Sequence, residues 1–499
     1  MGVCHAAGVL NLSGQGVVPG MLSGLVGLPL LAMVGVWCCP AAWVRRVAVG
    51  GGIATLLWTG LVLAQFDVHT AGWQMGEQVP WLGMLGLNYG LAVDGVSLPL
   101  LGLSSLVLLL VLASEPPVVR PRLYYSLLLL AGAAVAGAFL AQNVLLFFLF
   151  YELELLPLYL LIGIWGGVRR DYAAVKFLVY TAISGLLLLL AFFGVAVLSG
   201  ASVFDYDAIH TERLGVGAQV GVLVLLLLGL GIKIPLVPLH TWLPDAHVEA
   251  STPVSMWLAG VLLKLGTYGL VRFGVQWLPQ GWRVLAPFLA VWAVISVLYG
   301  SLMAMGQRDM KRVVAYSSIG HMGYVLLAAA AATPLALVAT VAQMVSHGLI
   351  AALLFALVGV VYRVTGTRDL TQLQGLLTPE RGLPLVGSLL ILAVMASSGM
   401  PGMVGFVSEW LVFRGSWPVF PVWTLLAMVG TGLTSVYFLL MVNRAFFGRL
   451  TPALAHLPAV SWGQRLPAVV LAVLVVVLGL QPHWLVRWCE ATVTAWGWG

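Results

Sequence analysis

The chain has 499 residues, of which 61% are hydrophobic and only 8% charged, and its mean hydropathy is +1.05. A soluble domain carries about 25% charged residues, so the composition excludes an ordinary soluble enzyme and fits a chain that crosses a membrane many times. A net charge of +6 would suggest a nucleic-acid partner for a soluble protein; here no nucleic acid is expected, and the question is which side of the membrane holds the basic residues.

Apolar stretches predict fourteen membrane spans in chain order, over about 21–39, 47–65, 97–114, 123–140, 142–165, 173–199, 217–242, 252–274, 285–306, 312–331, 335–362, 383–413, 421–446 and 467–486. The first runs on into a multi-span chain, so a removed signal peptide is not expected. Cys4, Cys38, Cys39 and Cys489 form no C-x-x-C pair, which signals neither a zinc nor an iron–sulfur site. They read as apolar filler. There is no Walker loop and no dinucleotide-binding fingerprint.

With these spans, the loops that follow spans 1, 3, 5, 9, 11 and 13 carry fifteen Lys and Arg residues, from Arg45 to Arg465 and including Lys311 and Arg381. The opposite loops carry five: Arg213, Arg272, Arg283, Arg414 and Arg487. That bias predicts a basic face inside and both termini outside. The loop after span 7, "PDAHVEA", is an acidic exception on the basic face. Asp171, Arg169 and Arg170 read as solvated loop charges, and Lys176 as either paired or reaching outward.

Spans 7 and 12 are long and interrupted near their middles, by Pro235 and Pro238 in one and by Gly399, Pro401 and Gly402 in the other. Proline removes a helical hydrogen bond, and freed backbone at membrane depth survives only against protein or trapped water. Paired interruptions in two halves point to a transport site. The interval of five spans predicts an inverted repeat, spans 4–8 (123–274) against spans 9–13 (285–446), flanked by 1–122 and 447–499. Two independent proline kinks are the plainer alternative. The fold class is thus an all-α polytopic membrane protein of about fourteen helices with two inverted five-helix repeats.

Five ionisable residues lie at membrane depth: Glu152, Glu154, Lys233, Lys264 and Glu409. Each costs about 2.5–3.5 kcal/mol at a helix centre if unpaired, so they must face one another or water. On a continuous helix Glu152 and Glu154 point about 200° apart and would not share a partner. Lys233 and His240 are seven apart, two turns on an unbroken helix, although the prolines between them bend that line. Gly260 and Gly266 leave room for close packing around Lys264. In low dielectric a carboxyl holds its proton more tightly and a lysine more loosely, which is why Lys, His and Glu alternating along a path can exchange protons. His321 and His347, near Ser318, Gln343 and Ser346, are further candidates for that path, and His247 a weaker one. Packed, hydrogen-bonded histidines are the plainer reading.

The stretches "FYELELLPLYLLIGIWGG", "IKIPLVPLHTWLPDAHVEASTPVSMWLAGVLLKLGTYGLVRF", "DMKRVVAYSSIGHMGYVLL", "SHGLIAALLF" and "PGMVGFVSEWLVF" resemble the antiporter-like membrane subunits of respiratory complex I, the chain M type called subunit 4 in mitochondria. "ELEL" before "PLYLLIGIWGG" is closer to the version called NdhD in the photosynthetic complex of cyanobacteria and chloroplasts. That version usually has tryptophan where this chain has Tyr151, and the ends match poorly. The resemblance implies a proton half-channel in each repeat. It implies that Glu152 and Lys233 form a modulating ion pair, Lys264 is the central lysine, Glu409 is the terminal glutamate, and His240, His321 and His347 lie on the hydrophilic axis. It implies no redox cofactor in this chain: quinone, iron–sulfur clusters and the electron donor (NADH, NADPH or ferredoxin) belong to other subunits. Partners would be neighbouring antiporter-like subunits in a bilayer, a cyanobacterial or chloroplast thylakoid rather than a bacterial plasma membrane. Competing readings are an Mrp-type cation/proton antiporter subunit, a membrane-bound hydrogenase or formate lyase subunit, a variant photosynthetic complex serving carbon dioxide uptake, and a scaffold without transport.

Overall fold

The computed structural model describes residues 20–114, 119–379, 382–450, 454 and 457–498; Cys4 and Arg381 lie outside them. In chain order, α1 (Met21–Cys38) and α2 (Val44–Gln65) are followed by a hairpin, β1 (Gln74–Leu82) and β2 (Leu87–Val93). Then come α3 (Ser97–Ala113), α4 (Pro121–Leu140), α5 (Val144–Leu153), α6 (Leu155–Trp165), α7 (Arg170–Ser199), α8 (Val216–Lys233), α9 (Trp242–Glu249), α10 (Thr252–Trp257) and α11 (Leu263–Gly269). The rest is α12 (Pro279–Met305), α13 (Met310–Ala331), α14 (Pro334–Thr365), α15 (Pro384–Ser397), α16 (Val404–Ser416), α17 (Pro421–Phe446), α18 (Trp462–Leu480) and α19 (His483–Thr494).

Among the described residues twelve helices are long and apolar enough to cross a membrane, and two shorter apolar helices, α3 and α15, accompany them. Among the described residues six helices open with proline at their first or second position, where the missing N–H costs nothing. The helical spans Thr252–Gln276 and Pro334–Thr365 are buried through the whole of their most apolar stretch, whereas Trp462–Leu480 is buried over only 28% of it. The first two therefore form the centre of the body, and α18 lies at its rim.

Both expected interruptions are present. In the first, α8 ends at Lys233 and α9 restarts at Trp242. The backbone groups freed between them are answered by side chains: Trp242 Nε1 donates to Ile232 O at 2.8 Å, Ser296 Oγ accepts from Val237 N at 3.2 Å, and Trp292 Nε1 donates to Val237 O. In the second, Gly399 and Gly402 hold φ of +72° and +89° between α15 and α16, a region that only glycine enters freely.

Three features go beyond what the sequence predicts. The stretch 142–165 is itself divided at Glu154, between α5 and α6. Pro157 supplies the cause, because it has no N–H for the carbonyl of Leu153. The segments Leu258–Leu262 and Leu270–Gln276 are wound as π-helix on either side of α11. The hairpin adds antiparallel sheet to an otherwise helical chain, with Val79 opposite Tyr89. It docks on α1 through Glu77, whose carboxylate accepts from the Leu22 and Ser23 amides at 2.6 and 3.1 Å and so meets the positive end of that helix.

The acidic loop after span 7 also finds its reason. Asp245 accepts from Lys176 at 2.8 Å and from Arg312 at 3.4 Å, and Glu249 lies 3.9 Å from Arg169. It neutralises basic residues brought by neighbouring loops. Two residues counted as loop charges are instead buried. Lys311 is 2% exposed, and Arg272, 1% exposed, pairs with Asp94 at 2.7 Å.

Candidate functional site

Lys233 is the last residue of α8 and 2% exposed. Its Nζ is ion-paired to Glu154, not to Glu152. The pairing implied by the resemblance is therefore corrected, and the reason is the division at Glu154. With α5 ended one residue earlier, Glu154 turns inward and is fully buried. Glu152 stays on α5, half-buried, close enough to feel the charge of Lys233. Its carboxylate occupies the space in front of Gly185 on α7, where an added methyl would come within 2.2 Å of Oε1. Tyr151, in place of the usual tryptophan, puts its ring 3.8 Å from Lys233 Nζ and its hydroxyl 3.1 Å from Ser184 Oγ. A cation over an aromatic face gains about 0.5–2 kcal/mol.

Lys264 lies on α11 just after the first π-segment and is fully buried. A π-turn leaves carbonyls without their usual i+4 partners, and Lys264 Nζ donates to one of them, Ala259 O, at 2.5 Å. It also lies 2.7 Å from His347 Nδ1 on α14. Two glycines make that reach possible: a methyl at Gly348 would come within 2.8 Å of Gly260 O. Gly266, on the other side, lets α8 approach; a methyl there would lie 3.2 Å from Lys233 Cβ.

The line continues. The rings of His347 and His321 are 5.6 Å apart, and His347 Nε2 is buried without a partner among the described residues. His321, on α13, places Nε2 2.9 Å from Ser397 Oγ and Nδ1 3.6 Å from Glu409 Oε1. Glu409, on α16 and 3% exposed, accepts from Thr431 Oγ1 at 3.0 Å. Arg414 points elsewhere and is exposed. Gly399 leaves room for the carboxylate; a methyl there would lie 3.0 Å from Oε2. A small cavity of about 10 Å³, room for one water, lies among His321, Gln343, Ser346, His347, Ser397 and Glu409. Ser318, expected nearby, instead bonds Val314 O within its own helix.

His240 is not on this line. The chain between Lys233 and His240 is not helical, so the seven-residue spacing carries no shared face. His240 is buried against the edges of Tyr299 and Tyr316, at 5.0 and 6.3 Å, within electrostatic range of Lys176. His247 is fully buried and stacked on Phe355 at 4.5 Å. The structure thus brings Lys264, His347, His321 and Glu409 together into one buried line of titratable groups. Lys233 and Glu154 form an ion pair one helix away. No group of His, Cys, Asp and Glu among the described residues could hold a metal ion.

Residues 141–434 match the family model described as NADH:quinone oxidoreductase/Mrp antiporter, transmembrane. The chain is 42% identical over 486 residues to the NAD(P)H-quinone oxidoreductase chain 4 1 of Synechococcus elongatus, covering 95% of this chain and 91% of that one. It is 43% identical over 440 residues to chain 4 2 of Thermosynechococcus vestitus, covering 86% and 82%. In structure it is similar to a chain of respiratory complex I from Thermus thermophilus with bound NADH, at a TM-score of 0.87 and 26% identity, covering 95% of this chain and 98% of that one. It shares its fold with a chain of the Mrp complex from a Dietzia species, at a TM-score of 0.85 and 23% identity, covering 95% and 97%.

Proposed function

The chain belongs to the NADH:quinone oxidoreductase/Mrp antiporter membrane family, and from that premise we propose that it is the proton-translocating, antiporter-like subunit of a complex I-like NAD(P)H- or ferredoxin-driven (plasto)quinone oxidoreductase. It is a multi-pass membrane subunit that works among other membrane subunits. The named relatives from cyanobacteria support a thylakoid setting. Electron transfer, iron–sulfur clusters and quinone are assigned to other subunits; this chain moves protons coupled to quinone reduction. The observation that carries the reading is the buried line Lys264–His347–His321–Glu409 through an apolar body.

In operation, an ammonium at Lys264 gives a proton to His347 Nδ1, and the imidazole releases its other proton from Nε2 through a water to His321. His321 then protonates Glu409, which lets the proton go on its far side. Lys233, with Glu154 as its direct partner and Glu152 beside them, biases that relay: the pair closed or open changes how much positive charge Lys264 faces. The two interrupted helices support the reading of 123–274 and 285–446 as inverted five-helix repeats, each lending a broken helix to the path.

The Mrp-type cation/proton antiporter is the second reading, because the matching family model covers Mrp antiporters as well. Isolation of the intact assembly through a tag on this chain separates the two. Iron–sulfur partners and quinone reduction coupled to proton uptake are expected, with Lys264→Ala losing the share of that uptake carried by this subunit. An assembly without them that exchanges sodium for protons would replace this reading with the other.

A further inference from the structure

Lys311 lies in the first turn of α13, where Asp309 caps the helix by accepting from the Lys311 and Arg312 amides. Its Nζ does not turn back to the Asp309 carboxylate, which is held by Arg368 at 2.6 Å. It points into the body, donating to Ala250 O at 2.7 Å and lying 3.3 Å from Ser255 Oγ. Among the described residues no carboxylate is ion-paired with it. A lysine near a helix end ordinarily reaches outward to water, or is paired when buried. This one does neither.

Beyond it the polar groups continue. Ser255 Oγ donates to His247 O at 3.1 Å. The His247 ring is fully buried, and neither ring nitrogen has a partner among the described residues. Unmet buried polar groups cost about 1–3 kcal/mol each, so a histidine left this way is suited to a water or a proton that comes and goes. The ring lies within electrostatic range of both Lys311 and Lys264. On the other side of Lys311, the Arg368 and Asp309 side chains are 21% and 24% exposed, so the lysine sits one layer below water.

We infer that Lys311 takes up the proton at the basic face and delivers it by way of Ser255 and His247 to Lys264; this rests on the proton-translocating reading above. Water outside gives a proton to the neutral amine. The ammonium passes it across the Ser255 hydroxyl to one nitrogen of His247, which releases its other proton to a neutral Lys264. Lys311 and Ser255 end as they began, His247 ends in its other tautomer, which a turn of the ring restores, and one proton has moved inward. The alternative role is structural, a fixed cation holding Ala250 O at the end of α9.

Arginine separates the two roles. It keeps the charge and the donors but does not give up its proton in a protein. Protons taken up per quinone reduced are measured in vesicles carrying the whole complex, for wild type, Lys311→Arg and Lys311→Met. Both variants are expected to lose the share of uptake carried by this subunit, as Lys264→Ala does, with the complex assembled at normal abundance. Wild-type uptake in Lys311→Arg overturns the inference. Should Lys311→Arg disturb assembly, Ser255→Ala decides: it removes one hydroxyl and no charge, and uptake at the wild-type ratio overturns the inference while a several-fold drop supports it. If the wild-type complex itself takes up no protons beyond those consumed by quinone, it is the proton-translocating reading that fails.

Discussion

The choice between Glu152 and Glu154 turns on one proline. Side-chain direction two residues along a helix is fixed only if the helix continues, and Pro157 interrupts it at Glu154. Lys233, Lys264 and Glu409 were legible as charges inside apolar runs, but the partner of Lys233 was not, because a periodicity argument has no purchase at a break. The pairing makes a prediction. Glu154→Gln leaves Lys233 buried without its direct partner, a loss of about 3–5 kcal/mol for a broken buried pair, whereas Glu152→Gln removes a half-buried charge outside that pair and is milder. Thermal unfolding of the purified complex checks this; equal destabilisation by the two would contradict the assignment. Cys489 offers a second prediction. Burial pushes its thiol up to about 12, so almost no thiolate exists at pH 8. Maleimide should label it only after unfolding, and rapid labelling of the native chain would show that α19 does not pack as described.

At the scale of elements, the two interrupted helices were readable because proline and glycine are explicit breakers. The π-segments beside Lys264 were not, since an extra residue in a helical turn has no composition of its own. The hairpin was missed because "QMGEQVPWL" includes Pro80 and Glu77 and alternates poorly. Lys311 read as a loop charge for a similar reason: its neighbours Asp309 and Arg312 are loop-like, and only the direction of the first helical turn sends its side chain inward. The hairpin's end is tied to the body by Asp94 and Arg272. Trp73, Tyr268 and Trp496 lie 4.3, 5.1 and 5.7 Å from the guanidinium. Arg272→Met should therefore lower the melting temperature strongly by stranding Asp94, and Arg272→Met with Asp94→Asn should recover part of the loss. Strictly additive losses, measured by thermal denaturation of the complex, would show that the two do not act as a pair.

For the whole molecule, the polar line runs through the most deeply buried helices, from the ion pair at α8 to the carboxyl at α16, while the apolar rim faces outward. The charge bias between loops and the acidic hub at Asp245 and Glu249 are properties of one face, and that sidedness is what a vectorial process needs. On the proposed reading, protons cross this chain by way of Glu409. The measurement that tests it most directly is proton uptake per quinone reduced in vesicles carrying the intact complex, with Glu409→Gln compared to wild type while the carboxyl stretch is followed by infrared spectroscopy. Glu409→Gln is expected to lose this subunit's share of uptake, Glu409→Asp to keep part of it, and a protonated-carboxyl band in the wild type to vanish in Glu409→Gln. Uptake at the wild-type ratio in Glu409→Gln, with no such band in the wild type, would contradict it.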